Sequence, residues 1–251
     1  MGRRRRISAI LLLAATSLMA QSFEKLLPKG AVVIESADVS GIAQKPRVLV
    51  LWMLNPQKRN GGPEYCGTVV DGDYWVGQTK LSLVDPAGKL ISTVNIADVP
   101  RYDGSGKPFD VGDFHLPFYI SDDYYYVPKK DAKGRGNPQL LRLRDFTGEG
   151  ASAQFAMFTY QACGIADTSV FGYSASYDRA VQYSVLVRGN DGKTTIEQWV
   201  EQIFAKKPVR PGYWKFTWRP GHGSDDEIHE EVSFDRAKQQ FVDRQTITVV
   251  K

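Results

Sequence analysis

The sequence predicts an all-β fold of mainly antiparallel strands and hairpins, a propeller-like or sandwich-like meander with one helix near 195–206. Three observations predict it. Short runs of apolar and β-branched residues recur along the chain, several alternating with polar ones. Clusters of Gly, Pro, Asp and Asn separate the runs. One stretch alone carries the spacing of a helical face.

Ala31 to Glu35 is the first strand candidate. "RVLVLWML", Arg47 to Leu54, is a continuous apolar run of the length of a buried strand. Tyr74 to Val84 alternates, with Leu81 and Leu83 on one face; "DPAG", Asp85 to Gly88, supplies a turn, and Lys89 to Ile96 returns as the hairpin partner. Tyr124 to Val127, Gln139 to Leu143, Ala153 to Thr159 and Ser169 to Ser174 follow as short strands. Ala180 to Arg188 reads as one strand closed by "GNDG". In "KTTIEQWVEQIFAKKP", Ile196, Trp199, Val200, Ile203 and Phe204 fall on one helical face, Thr194 and Glu197 form a capping box, and Pro208 stops the segment. This spacing predicts the one helix, packed on a sheet by its apolar stripe. Tyr213 to Trp218 is another strand, and "EVSFDRAKQQFVDRQTITVV" a third hairpin. Pro100 to Asp113 and Pro128 to Pro138 read as long loops.

The first twenty residues stand apart. Four arginines, Arg3 to Arg6, precede an apolar run from Ile10 to Met19 and the small Ala20, the layout of a secretory signal peptide. The run is about half of the ~20 residues a membrane anchor needs. Cleavage after Ala20 leaves residues 21–251 as a single all-β domain in the periplasm or outside the cell. The residue after the cut is Gln21 and not a cysteine, so a lipoprotein is not supported. The leader's four arginines leave residues 21–251 with 28 of the chain's 32 Lys and Arg against 28 Asp and Glu. A charge-balanced domain gives no electrostatic reason to expect nucleic acid or an anionic membrane as partner. No later segment is expected to span a membrane as a helix.

Cys66 and Cys163 are the only cysteines. In an exported chain an even count suggests a bridge, here closing a loop that is worth about 4–5 kcal/mol in the chain-entropy model. Their separation excludes a C-x-x-C redox or zinc pair; two buried free thiols are the rival reading.

In "LRDFTGEGASAQFAMF", Asp145, Thr147 and Glu149 place oxygen-bearing side chains at every second position, with glycines between. The stretch resembles the calcium turn of the FG-GAP and VCBS-type repeats, blades of exported β-propellers with a D-x-[DN]-x-D-G core followed by a further acid and a strand. Asp145 matches the first ligand position. Thr147 stands where Asp or Asn is usual, Glu149 where Asp is usual, and Ala153 in the place of the later carboxylate. The resemblance covers one repeat's turn. It implies calcium held by Asp145, Thr147 and Glu149, the one cofactor the sequence suggests. Two carboxylates and a hydroxyl fall short of the roughly six to eight oxygens calcium takes. Gly148 and Gly150 explain a tight turn without an ion. The loop is therefore expected to be a structural turn rather than a strong calcium site.

"RPGHGSDDEIHEE" gathers His222 and His229 with Asp225, Asp226, Glu227, Glu230 and Glu231. Divalent metal is one reading, a solvated acidic loop the favoured one. In a strand from Glu227, Ile228 and Glu230 share one face and His229 takes the other, which is expected to separate it from its acidic neighbours. "GYSAS", Gly172 to Ser176, lacks the last glycine and the following helix of a nucleophile elbow and reads as a strand end. Trp214, Phe216 and Trp218 are assigned to the core. Tyr124, Tyr125 and Tyr126 are candidate ligand contacts, since alternation sends at least one ring to solvent.

Two functions follow. The first is an exported, non-catalytic binding protein, its partner a cell-envelope glycan or protein. The second is a secreted hydrolase of polysaccharide or ester, with Asp122 and Asp123 or the 225–231 acids as acid and base.

Overall fold

The structure is a computed structural model and describes residues 23, 25–59, 64–65, 68–69, 74–96, 101–102, 108–109, 119–120, 126–127, 141–162, 165–220 and 224–249. It is mostly strand, antiparallel in nearly every pairing, with no closed barrel among the described residues. No helix among them is long and apolar enough to cross a membrane.

The first sheet orders β1 (Ala31–Asp38), β2 (Val48–Arg59), β5 (Tyr74–Asp85) and β6 (Lys89–Ile96) as β1-β2-β5-β6. A short helix, α1 (Ser40–Ala43), links β1 to β2. Apolar residues occupy both faces of β2. Leu49, Leu51 and Met53 join the main core, while Val50 and Trp52 pack with Phe23, Leu27 and Val84 in a second cluster. This is why the run reads as continuous rather than alternating: both faces are covered. The "DPAG" turn forms as predicted, with Ala87 N–H bonded to Asp85 Oδ1 at 2.8 Å and Gly88 at φ 109°. Six two-residue pieces lie between β2 and β11 (Gln154–Ala162) among the described residues: β3 (Glu64–Tyr65) pairs with β4 (Thr68–Val69), and β7 (Arg101–Tyr102) with β8 (Pro108–Phe109). A third such ladder pairs β9 (Tyr119–Ile120) with β10 (Tyr126–Val127).

The second large sheet orders β11 (Gln154–Ala162), β12 (Ile165–Ser174) and β13 (Arg179–Tyr183). The third orders five strands as β15-β14-β19-β18-β17, comprising β14 (Val185–Arg188), β15 (Thr194–Glu197), β17 (Tyr213–Trp218), β18 (Asp226–Asp235) and β19 (Gln240–Val249). β16 (Val200–Glu201) pairs with β12. One apolar cluster, from Leu49 and Leu81 through Phe155 and Phe171 to Trp214 and Phe241, runs through all three sheets.

Three expectations are corrected. The strand predicted over Ala180 to Arg188 is two strands broken at Ser184: β13 pairs with β12, and β14 pairs in parallel with β19. The chain changes sheets at the break, and the Ser184 carbonyl accepts the Phe241 N–H at 2.9 Å. The helix predicted near 195–206 does not form. Thr194, Thr195 and Ile196 are β-branched and pair with β14 across the "GNDG" turn, and Ile196 is 65% exposed. Of the rest of the supposed stripe, Val200 lies in β16, and a turn after it drives Ile203 and Phe204 into the core, Phe204 lying 4.8 Å from the Phe241 ring and 5.4 Å from Trp214. Lastly, Leu141 to Leu143 is not strand.

Candidate functional site

β17, β18 and β19 send alternate side chains to opposite faces, and register aligns them in rows. The outer face is polar. Lys215 pairs with Glu231 at 2.6 Å, and Arg219 with Glu227 at 3.1 Å. His229 meets Thr217 Oγ1 through Nδ1 at 2.8 Å and Glu227 through Nε2 at 3.4 Å. Ile228 and Glu230 do share the other face. The corrected point is that Glu227 and Glu231 accompany His229 rather than being separated from it. The favoured acidic loop is also corrected, since Asp226–Asp235 is a strand.

The inner face carries the unexpected chemistry. Phe241 with Phe234 and Trp214 with Val232 form apolar rows in the core. Asp243 lies beside Val232, and the next row is Phe216, Glu230 and Gln245. Two carboxylates thus occupy the apolar register of adjacent strands, one row apart. Glu230 is 1% exposed and Asp243 fully buried. Trp218 Nε1 donates to Glu230 Oε1 at 2.7 Å; the Gln245 amide donates to Asp243 Oδ2 at 2.8 Å and to Glu230 Oε1 at 3.4 Å. The remaining oxygens, Glu230 Oε2 and Asp243 Oδ1, meet no hydrogen-bond partner. Burial pushes the Glu230 carboxyl well above the ordinary range, and the Asp243 charge pushes it further; the Trp218 bond, and Lys206 at longer range, oppose this weakly. Burial raises Asp243 as well, against the Gln245 bond.

Beyond Glu230 the core stops but the apolar register continues. Trp218, Ile228 and Ile247 form one row, with Val249 past it. Ile247 is 43% and Val249 65% exposed. Of the aromatics assigned to the core, Trp214 is fully buried, whereas Phe216 and Trp218 are half-buried.

A second charged cluster ties the first two sheets together. Arg47, just before β2, grips Asp178 in the β12–β13 turn through Nε at 3.0 Å and Nη2 at 2.9 Å. Lys45 adds a 2.7 Å contact, Tyr173 donates its hydroxyl at 3.1 Å, and Asp85 lies 3.3 Å from Arg47 Nη1. Arg47, then desolvation opposing it, then Lys45 and Tyr173 set the Asp178 carboxyl, which ends far below the usual range. Asp178 sits at φ 47°, a left-handed geometry that Asp tolerates better than most residues.

At the calcium-like loop, Asp145 Oδ1 accepts N–H bonds from Gly148 at 2.7 Å and Glu149 at 3.1 Å, and Oδ2 accepts one from Gly150 at 2.8 Å. Thr147 is buried and bonds to Asp145, while Glu149 is exposed. A cation here would compete with the loop's own N–H groups. Gly148 and Gly212 both have positive φ and pass so closely that a Cβ on Gly148 would lie 2.6 Å from the Pro211 carbonyl oxygen. Among the described residues no group of three His, Cys, Asp or Glu could hold a metal.

Gly172 to Ser174 ends β12, as expected for "GYSAS". Tyr126 lies in β10. Tyr124, Tyr125, Cys66, Cys163, Asp122, Asp123, His222 and the 1–20 leader lie outside the described residues.

Comparison with known proteins brings no match: no family model, no curated protein and no solved structure is similar to this chain.

Proposed function

We propose that the chain is an exported protein that acts by binding rather than catalysis, its partner a protein or glycan of the cell envelope. One observation supports the reading: the inner face of β17–β19 continues past the core as an apolar ledge of Trp218, Ile228, Ile247 and Val249. Core-register side chains left open to water are what a partner surface covers. The half-buried indole of Trp218 is anchored through Nε1, which fixes its ring for contact. A protein partner fits best, because the ledge is aliphatic on two of its three strands. Binding to a panel of envelope proteins and glycans tests this: Ile247→Asp abolishes retention of the partner while leaving the unfolding midpoint in place. Retention unchanged in that variant removes the ledge from the argument.

The hydrolase reading keeps one support. Burial and the neighbouring Asp243 charge push the Glu230 carboxyl upward, the direction a general acid needs. Against it, Glu230 and Asp243 are closed to solvent. Turnover of a polysaccharide or ester substrate that vanishes in Glu230→Gln would favour this second reading.

A further inference from the structure

We propose that Glu230 and Asp243 form a proton-binding site that makes the stability of the β17–β18–β19 sheet respond to pH in the neutral range. The inference concerns the free protein and does not need the ledge to carry a partner.

The geometry is the ground for it. Three donor contacts reach the pair, and all of them fall on Glu230 Oε1 and Asp243 Oδ2. The other two oxygens are buried and lack a donor. A buried carboxylate oxygen without a donor is costly, and two uncompensated charges side by side are costlier still. A proton on either oxygen removes one of the two buried charges and turns a bare acceptor into a hydroxyl, so protonation lowers the cost of burying the pair.

The surroundings do not offer a better answer. From β19 the pair meets the Gln245 amide, and from β17 the Trp218 indole. β14 contributes Val187, which has no charge. β16 brings Glu201, which adds negative potential, and the turn after it brings Lys206, whose positive charge opposes it. Glu227, His229 and Glu231 of β18 lie on the opposite face. The folded state therefore holds protons that the unfolded chain, with ordinary carboxyls, releases. Stability is highest at the acidic end and falls as pH rises from the ordinary carboxylate range to about 8, levelling off above.

The test is a series of urea unfolding curves on the full chain from about pH 5 to about pH 9, for wild type, Glu230→Gln and Asp243→Asn. Where one extra proton is held, the unfolding constant of the wild type rises about tenfold per pH unit. Each amide variant loses at least half of that slope. A protonated-carboxyl stretch in the infrared spectrum at neutral pH accompanies it in the wild type and disappears in Glu230→Gln. If one variant does not fold, the other and the wild-type infrared band decide. A flat wild-type profile, or a slope unchanged in both variants, overturns the proposal. So does a calcium- or zinc-dependent rise of the wild-type midpoint at high pH that Glu230→Gln lacks, because the oxygens then belong to a metal.

Discussion

Asp178 and Glu230 are both carboxylates drawn into the protein, and their surroundings treat them in opposite ways. Asp178 is met by a guanidinium, an ammonium and a phenol, and its charged form is favoured. Glu230 is met by an indole, a shared amide and another carboxylate, and its neutral form is favoured. Burial is the larger cause at Glu230, and the sign of the neighbours adds to it there and outweighs it at Asp178. Both cations at Asp178 come from the segment just before β2, so the charge cluster fastens one sheet to the next, while the Tyr173 phenol comes from β12 beside it. The partners of Glu230 come from its own sheet, so the pair tunes that sheet locally.

The comparison breaks most sharply at Arg47. Arg47→Met leaves Asp178 and Asp85 facing each other across a half-buried gap, and is expected to cost roughly 3 kcal/mol. Urea unfolding at neutral pH measures it; a loss below about 1 kcal/mol would place the cluster with ordinary surface pairs. At the other site, replacing both acids is predicted to do the reverse. Glu230→Leu with Asp243→Leu stabilises by about 1–2 kcal/mol at pH 8, since apolar side chains of similar volume commonly equal or outperform buried charges. A loss of stability at that pH contradicts the view that the pair is a burden when ionised.

The pH profile sharpens the same contrast. Asp178 is depressed, so its contribution is present above the ordinary carboxylate range and is lost as pH falls below it. Glu230 is raised, so its cost grows as pH rises toward about 8. Together they predict a stability maximum on the mildly acidic side. Asp178→Asn, which keeps a residue tolerant of the left-handed turn, flattens the acid limb alone, and thermal unfolding across the pH range separates the two limbs. A smaller effect is expected at Asp145. Asp145→Ala removes three N–H acceptor contacts and costs about 1 kcal/mol, as the loss of a helix N-cap does. A calorimetric titration of the same variant checks the turn reading, and micromolar calcium binding abolished by the substitution would overturn it.

What the sequence disclosed follows from how local each signal is. The Asp85–Gly88 hairpin was legible because the turn chemistry sits between two patterned runs. The 194–206 segment was misread because Ile196, Val200, Ile203 and Phe204 fit a helical stripe, while the partner that makes 194–197 a strand, β14, is chosen by the "GNDG" turn and by pairing. The break at Ser184 has no local marker; only the two different neighbours of β13 and β14 create it. Glu230 was visible within an acidic run, but the informative fact was its parity: it shares a face with Ile228 and Val232. Asp243, between Phe241 and Gln245 on the same parity, carried the same signal, and neither residue alone says that the two would meet. The leader, the Cys66–Cys163 bridge and the Tyr124 and Tyr125 contacts fall outside the described residues and keep their status as expectations.

The parallel pairing of β14 with β19 has a consequence in time. Val185 aligns with Phe241, and β19 is the middle strand of its five-stranded sheet although it follows every one of its sheet partners in the chain. Until residues 240–249 arrive, β14 and β18 each lack a neighbour on that side, and Val232 and Trp214 lack their wall. Such distant partners make closure slow, and the half-built sheet leaves two open edges during the wait. A chain delivered from its N-terminus must therefore keep those edges from pairing with other molecules until its central strand has emerged, which makes this sheet the step at which aggregation competes with folding.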